Sequence, residues 1–357
     1  MAFTERGCVP QSETSPSIPA SPTFFRIATR CGWCYAHSRA PIFSCAACIS
    51  WFIKKVRSAI LCCVQFQKIT IIGVGLLGGS IGLAVKRGKL AREVAGFVRR
   101  AASLKNCEKA GAVDYATTDL LAAVSKADLV ILCTPLAQMR ALAQQILPAL
   151  KRGAIVTDVG SVKADVVREL ESIIAKAGAH FVGGHPMAGG EKMGVLAARA
   201  DLFGNVICIV TPTKKSNPAA VRQVEQFWKS LGSRVLKLDA AQHDLLVSRS
   251  SHLPHIVAAT LANLVLDPAN SKTQSALCAT GFRDTTRIAS GSPEMWRDIA
   301  LANRKNISRS VDAFVAELKK FQSALKSGDA KAVEKIFATA KQRRDNWCAK
   351  STSTSSE

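Results

Sequence analysis

The chain has 357 residues, a formal charge of +22 and 48% hydrophobic residues, enough for two domains with packed cores. Its Lys and Arg are spread along the whole length without a run of five, and aromatics make up only 6%. This argues against a nucleic-acid surface of basic patches and stacking rings; a basic cleft for a phosphorylated or carboxylated small molecule fits better.

Residues 1–23 are rich in Ser, Pro and Thr and read as disordered. Residues 24–66 are apolar and basic, and seven of the twelve cysteines fall in the first 66 residues. Cys31-Gly-Trp-Cys34 and Cys45-Ala-Ala-Cys48 have a spacing that can hold zinc. Long apolar stretches around them make a zinc knuckle the minor reading, and no metal centre is expected. The run 40–53 is too short and mixed to span a membrane, and the segment lacks the order of a secretory signal. Residues 1–66 are therefore expected to be a disordered or non-native extension outside the working fold, consistent with an upstream start site. Cys133 and Cys208 sit inside apolar strand runs, as reduced cysteines of a cytoplasmic protein do.

Residues 69–80 read Ile-Thr-Ile-Ile-Gly73-Val-Gly75-Leu76-Leu-Gly78-Gly-Ser80, an apolar strand entering a glycine-rich turn and then a helix. Such a turn is suited to a dinucleotide: Gly73 for the tight turn, Gly75 for approach of a pyrophosphate, Gly78 for close helix–strand packing. A second strand-like run, 93–98, follows as a βαβ unit requires. At its end stand Val98, Arg99 and Arg100, where an NAD site usually carries a carboxylate for the ribose hydroxyl. Two guanidinium groups pair instead with a 2′-phosphate, so NADP is preferred, with NAD as the second option.

Strand-like runs at 69–73, 93–98, 128–134, 153–158, 180–183, 205–210 and 234–238 alternate with helical patterns such as 136–150, 164–177 and 219–231. The alternation predicts an α/β fold, a Rossmann-type, doubly wound and mostly parallel sheet over 67–239. From 240 to 346 only helical periodicity remains, with breaks at Pro268, Gly281 and Gly291-Ser-Pro293, which predicts an all-helical domain. Residues 347–357 are polar and read as a disordered tail. Ligands of open α/β sheets bind beyond the carboxyl ends of the strands. There lie the glycine turn, Thr134-Pro135, Asp158-Val-Gly-Ser161-Val-Lys163 and Gly183-Gly-His185-Pro186-Met-Ala-Gly189.

Together these motifs, with Gly189-Gly-Glu191-Lys192, His243-Asp244, Ser251-His252-Leu-Pro-His255, Gly281-Phe-Arg283-Asp284-Thr-Thr-Arg287 and Met295-Trp296-Arg297-Asp298, resemble the prephenate and arogenate (cyclohexadienyl) dehydrogenase family of tyrosine biosynthesis. The likeness covers nearly all of residues 68–347. It implies oxidative decarboxylation of prephenate to 4-hydroxyphenylpyruvate with NAD(P), with arogenate as the alternative substrate; the Gly-Gly-Glu-Lys sequence leans to prephenate. It also implies a homodimer formed through the helical domain, with neither nucleic acid nor membrane as partner.

By the same resemblance His185 is the catalytic histidine, and a neutral imidazole suits removal of a hydroxyl proton. Ser161 is the serine that bonds the hydroxyl and the histidine, unless it simply caps the helix that follows. Arg287 is the substrate arginine, a group able to hold a carboxylate bidentately. Ser251, His252 and His255 contact the substrate side chain, Glu191 pairs with the arginine near the entrance, and Trp296 packs near the ring or serves as core. Gly73, Gly75, Leu76, Gly78, Arg99, Arg100, Thr134 and Pro135 form the cofactor set. Other readings are an NADP-dependent hydroxyacid or imine reductase with a helical dimer domain, or a non-catalytic NADP-binding protein. Neither explains His185-Pro186 or the Ser251–His255 run.

Overall fold

The computed structural model describes residues 65–190 and 192–353, with side chains as far as Ala349. The CxxC pairs, Glu191 and most of the 1–66 extension lie outside the described residues. An eight-stranded sheet runs in the order β3-β2-β1-β4-β5-β6-β7-β8. The strands are β1 (Phe66–Ile72), β2 (Ala91–Phe97), β3 (Tyr115–Thr117), β4 (Leu129–Leu132), β5 (Ile155–Asp158), β6 (His180–Pro186), β7 (Ile207–Thr211) and β8 (Arg234–Lys237). All neighbours pair parallel except β6 and β7, which are antiparallel. The chain winds outward from β1 to β3, returns, and continues from β4 on the other side, so the switch point lies between β1 and β4.

Alternate residues of the buried strands face opposite sides. Ile69, Ile71, Leu129 and Ile131 pack on one face with Ile81, Val85, Val224, Phe227 and Trp228. Ile72, Val130, Leu132 and Val156 pack on the other with Met139, Ile146, Val167 and Leu170. The helices that supply these partners are α1 (Leu76–Gly88) and α6 (Pro218–Ser230) on the first face, and α4 (Leu136–Ile146) and α5 (Ala164–Ala175) on the second. The short α2 (Ala102–Ala110) and α3 (Leu120–Val124) flank β3.

The helical layer follows β8. It comprises α7 (Ala240–Val247), a π-helical turn (Ser248–His252), α8 (Leu253–Val265), α9 (Lys272–Ala276), α10 (Thr280–Thr286), α11 (Pro293–Ala302), α12 (Arg304–Lys326) and α13 (Ala330–Ser353). α7 packs on α5 and β7, and α11 packs on α4.

Several boundaries differ from those the sequence suggests. Phe66 lies inside β1 rather than in the extension; it is only 5% exposed and packs edge-on against Phe227 at 6.1 Å. β3, three residues long, has too little pattern to be seen. β6 continues through His185 and Pro186, because its antiparallel partner β7 extends the pairing at that end. Gly281 does not break a helix but sits in the first turn of α10. The final helix runs past Trp347 to Ser353, so the stretch read as a disordered tail is helical for most of its length.

Phe66→Ala is expected to cost about 3–5 kcal/mol, measured by urea unfolding. Wild-type stability in that variant would place Phe66 outside the core.

Candidate active site

The glycine turn is built as a cradle. Gly73 has φ +97°, and a Cβ there would stand 2.6 Å from the Cys133 carbonyl oxygen. A Cβ on Gly78 would stand 2.2 Å from the Gly73 carbonyl oxygen, so α1 can lie this close to β1 only with glycine. Around Gly75 no atom comes within 4 Å of a Cβ position, which leaves open space at the start of α1. The first turn of α1 carries no acidic residue and no side-chain cap. Its free N–H groups and helix dipole therefore suit an anion, and a dinucleotide pyrophosphate fits them. Thr134, after β4, presents a buried hydroxyl without a partner, with its Cγ2 3.0 Å from the Gly73 Cβ position. Pro135 begins α4. Arg99 and Arg100 follow β2 with exposed side chains.

The loop that follows the His185 strand reaches this cradle. Beyond Pro186 the chain turns back, and the Cβ position of Gly190 lies 3.6 Å from Leu76 Cδ2. Further on, Val195 and Ala198 pack on Gly79 of α1.

His185 is buried, and its Nδ1 lies 2.8 Å from Nε2 of His243. Nδ1 of His243 lies 2.8 Å from Oδ1 of Asp244. Asp244 also accepts the backbone N–H of Lys163 at 2.7 Å and of Ala164 at 2.9 Å. These contacts dictate the tautomers. An ionised Asp244 only accepts, so His243 carries its proton on Nδ1 and accepts at Nε2. His185 must then donate from Nδ1, which leaves a lone pair on its Nε2. Burial first, then the neighbouring His243, Lys163 and His252, hold the His185 imidazole well below its usual titration range, so it is neutral at pH 7 with an unprotonated Nε2.

Ser161 sits on the turn between β5 and α5 and is half-buried. It does not cap α5: Asp244, from the helical layer, takes the free N–H groups there. The Ser161 hydroxyl remains available to a ligand.

His252 comes from the π-helical turn. Pro254 has no N–H to continue an α-helical ladder, and the chain answers with one wider turn before it. His252 is completely buried. Its Nδ1 faces the Asn303 side-chain amide at 3.2 Å, and the same amide donates to the Asp244 carbonyl at 2.8 Å. Nδ1 therefore accepts, and Nε2 carries a proton without a hydrogen-bond partner of ordinary geometry; the Ser161 backbone lies near enough to favour its charged form. Burial outweighs that and pushes the imidazole down to about 4. His255 donates from Nδ1 to the Ser251 carbonyl at 3.0 Å and stacks on Trp296, with ring centres 3.9 Å apart. His252 meets the same indole edge-on at 6.1 Å. Trp296 is thus wedged between the two histidines.

Arg287 stands on the short turn Arg287–Ser290, which packs on α8, the helix that carries His255. It is exposed at the end of α10 and lines an open cleft of about 490 Å³ formed wholly by residues between Cys278 and Ser290, with Phe282 and Arg283 among them.

Residues 81–237 match the family described as "Prephenate dehydrogenase, nucleotide-binding domain", and residues 239–339 match "Prephenate dehydrogenase, dimerization domain". The chain belongs to the prephenate dehydrogenase family. The prephenate dehydrogenase of Bacillus subtilis is 36% identical over 279 residues, 78% of this chain and 75% of the relative. The cyclohexadienyl dehydrogenase of Zymomonas mobilis is 34% identical over 78% of this chain and 95% of its own length. The prephenate dehydrogenase of Aquifex aeolicus, solved in complex with hydroxyphenyl propionate and NAD+, superposes with a TM-score of 0.72 at 31% identity, over 78% of this chain and 98% of that one.

Within this family member, the sequence reading left His243, Asp244 and Asn303 without roles. The His243-Asp244 pair, just inside a helix capped by Asp239, belongs to the motifs of the resemblance, but its task shows only in its burial, which the fold supplies.

Asp244→Asn replaces one of two accepting oxygens by a donor amide, which upsets the His243 tautomer and the contacts to Lys163 and Ala164, and kcat is expected to fall about a hundredfold or more; steady-state kinetics decide. His185 and His252 both bind protons more weakly when folded, so the unfolded chain takes up protons first as pH falls. Stability is therefore complete above about pH 6.5 and declines toward pH 4, by up to about 1.4 kcal/mol per pH unit for each histidine. Urea unfolding at pH 7.5, 6 and 5 measures this; a flat profile contradicts it.

Proposed function

We propose that this chain is an oxidoreductase that converts prephenate to 4-hydroxyphenylpyruvate and carbon dioxide with a nicotinamide dinucleotide, in tyrosine biosynthesis. The observation that carries the reading is the Asp244–His243–His185 chain, which leaves one buried, unprotonated nitrogen on the strand whose following loop reaches the dinucleotide cradle.

In this reading Nε2 of His185 takes the proton of the ring hydroxyl. A nicotinamide held by the cradle supplies the acceptor for the hydride that leaves the same ring carbon. Loss of carbon dioxide then returns an electron pair through the ring to the oxygen, and His185 gives its proton back to the resulting phenolate. Asp244, through His243, fixes the His185 tautomer that leaves Nε2 free to take this proton. The Ser161 hydroxyl is available to orient an oxygen atom of the substrate, with His252 buried against the Ser161 backbone and Trp296 and His255 as a wall. Glu191, assigned to the entrance by resemblance, keeps that role only as an expectation.

The finer cofactor choice is NADP. Arg99 and Arg100 extend beyond β2 with both guanidinium groups exposed, and Val98 brings no carboxylate to repel a 2′-phosphate. A second copy of the chain is the proposed partner through the helical layer, where Leu264 and Leu277 are 71% and 75% exposed. Arg287 and its cleft belong to this same layer. Cys107, Cys133, Cys208 and Cys278 form no disulfide with one another, in keeping with a reducing, cytoplasmic setting. No described helix is long and apolar enough to cross a membrane.

His185→Asn is expected to lose about three orders of magnitude in kcat while cofactor affinity stays within threefold; normal turnover would refute the assignment. Specificity constants for prephenate and arogenate, each with NADP and NAD, fix the preferences. Replacing Arg99 and Arg100 together by Ala should weaken NADP about tenfold or more and leave NAD unchanged; equal losses for both cofactors would remove the 2′-phosphate reading.

A further inference from the structure

Two charged groups beneath the site take no part in the chemistry above. Asp158, at the end of β5, and Lys163, at the start of α5, form an ion pair whose side chains are both 0% exposed. Neither can touch a ligand. The Asp158 carboxylate also accepts two backbone N–H groups: Gly160 to Oδ2 at 2.8 Å and Gly184 to Oδ1 at 3.1 Å. These are the residues immediately before Ser161 and His185. One carboxylate therefore holds both strand ends that present the reacting groups.

The contacts close into a ring. His185 bonds His243, His243 bonds Asp244, and Asp244 accepts the backbone N–H of Lys163. The Lys163 ammonium meets Asp158, and Asp158 accepts the N–H of Gly184, one peptide from His185. The Gly183-Gly184 run makes room for it. A Cβ on Gly183 would stand 2.5 Å from Thr211 Oγ1 and 3.5 Å from Lys163 Cδ, and one on Gly184 would stand 2.9 Å from the Asp158 carbonyl oxygen. A buried ion pair gives little net stability over an apolar pair of the same volume. Its directed hydrogen bonds, in contrast, fix the angle and distance of two loops at once.

We propose that Asp158 and Lys163 are positioning residues, a buried clamp that holds Ser161 and His185 in mutual register and sets the charge beneath His185. The proposal rests on the reading of His185 as the base. The groups that act on His185 are His243 from α7, His252 from the π-helical turn and Lys163 from the start of α5; Cys208 of β7 meets its backbone, and Asp244 and Asp158 stand one contact behind, on His243 and Lys163.

The test compares Asp158→Asn, Lys163→Met and the double variant with the wild type. The dinucleotide cradle lies on β1 and α1, so cofactor affinity reports folding independently and should stay within threefold. In Asp158→Asn, kcat is expected to fall about a hundredfold with little change in KM for the cofactor. The acid limb of the kcat/KM profile separates positioning from general damage. In Lys163→Met, where an anion is left beneath His185, the limb should move up by about one pH unit. In Asp158→Asn, where a cation is left, it should stay or move down, and the double variant should fall between them. Imidazole NMR titration of His185 without substrate should give the same order. It keeps the clamp testable even if the wild type turned over neither prephenate nor arogenate, an outcome that would sink the functional reading alone. If a single variant fails to fold, the charge-balanced double variant decides: reduced kcat with intact cofactor binding supports the clamp, and wild-type kcat overturns it. Shifts in the same direction in both single variants, or none, also overturn it.

Discussion

The carboxylate of Asp244 is the joint on which the two halves of this molecule meet. It belongs to the first helix of the helical layer, yet it accepts the free N–H groups at the start of α5 in the nucleotide-binding half. A helix N-terminus buried without a partner would be costly, so the contact that satisfies it also seats one domain on the other. The same oxygen that receives Lys163 receives His243. Domain docking and the tautomer of the base are thus consequences of one group, and a displaced helical layer would take the proton arrangement of His185 with it.

Around that joint the helical layer contributes through a defect. The π-helical turn before Pro254 interrupts an otherwise continuous helix and delivers His252 into the interior, while His255, three residues on, stays half-buried against Trp296. In a regular helix both would share one face at similar depth. The extra width of a single turn gives them different tasks: an internal donor and a wall.

Much of this was legible in the residues. The glycine pattern marked the cradle because only glycine tolerates φ +97° at residue 73 and the approach of 2.2 Å at residue 78. Strand–helix alternation marked the sheet, and the flanking glycines and proline marked His185. What escaped shares a different physics. The antiparallel course of β7 leaves no trace in its composition, since a buried strand is apolar in either direction. β3 is too short for periodicity to register. Phe66 ends an apolar, basic stretch and looks like its neighbours until Phe227 packs on it. Lys163 reads as an ordinary helix-start lysine; its complete burial depends on Asp158 and on two glycines twenty residues away. Contacts of that kind are created by folding and cannot be counted along the chain.

The order of the strands carries one further consequence. The arginine loop follows β2 and the reacting imidazole rides on β6, four strand spacings apart, or roughly 19 Å. No side chain is shared between the two ends of the crevice. Residues that far apart influence folding independently, so the Arg99-Arg100 loop can be rebuilt without disturbing the ring of contacts beneath the imidazole. On the proposed reading, the sheet separates the choice of coenzyme from the execution of chemistry, and each is open to change without the other.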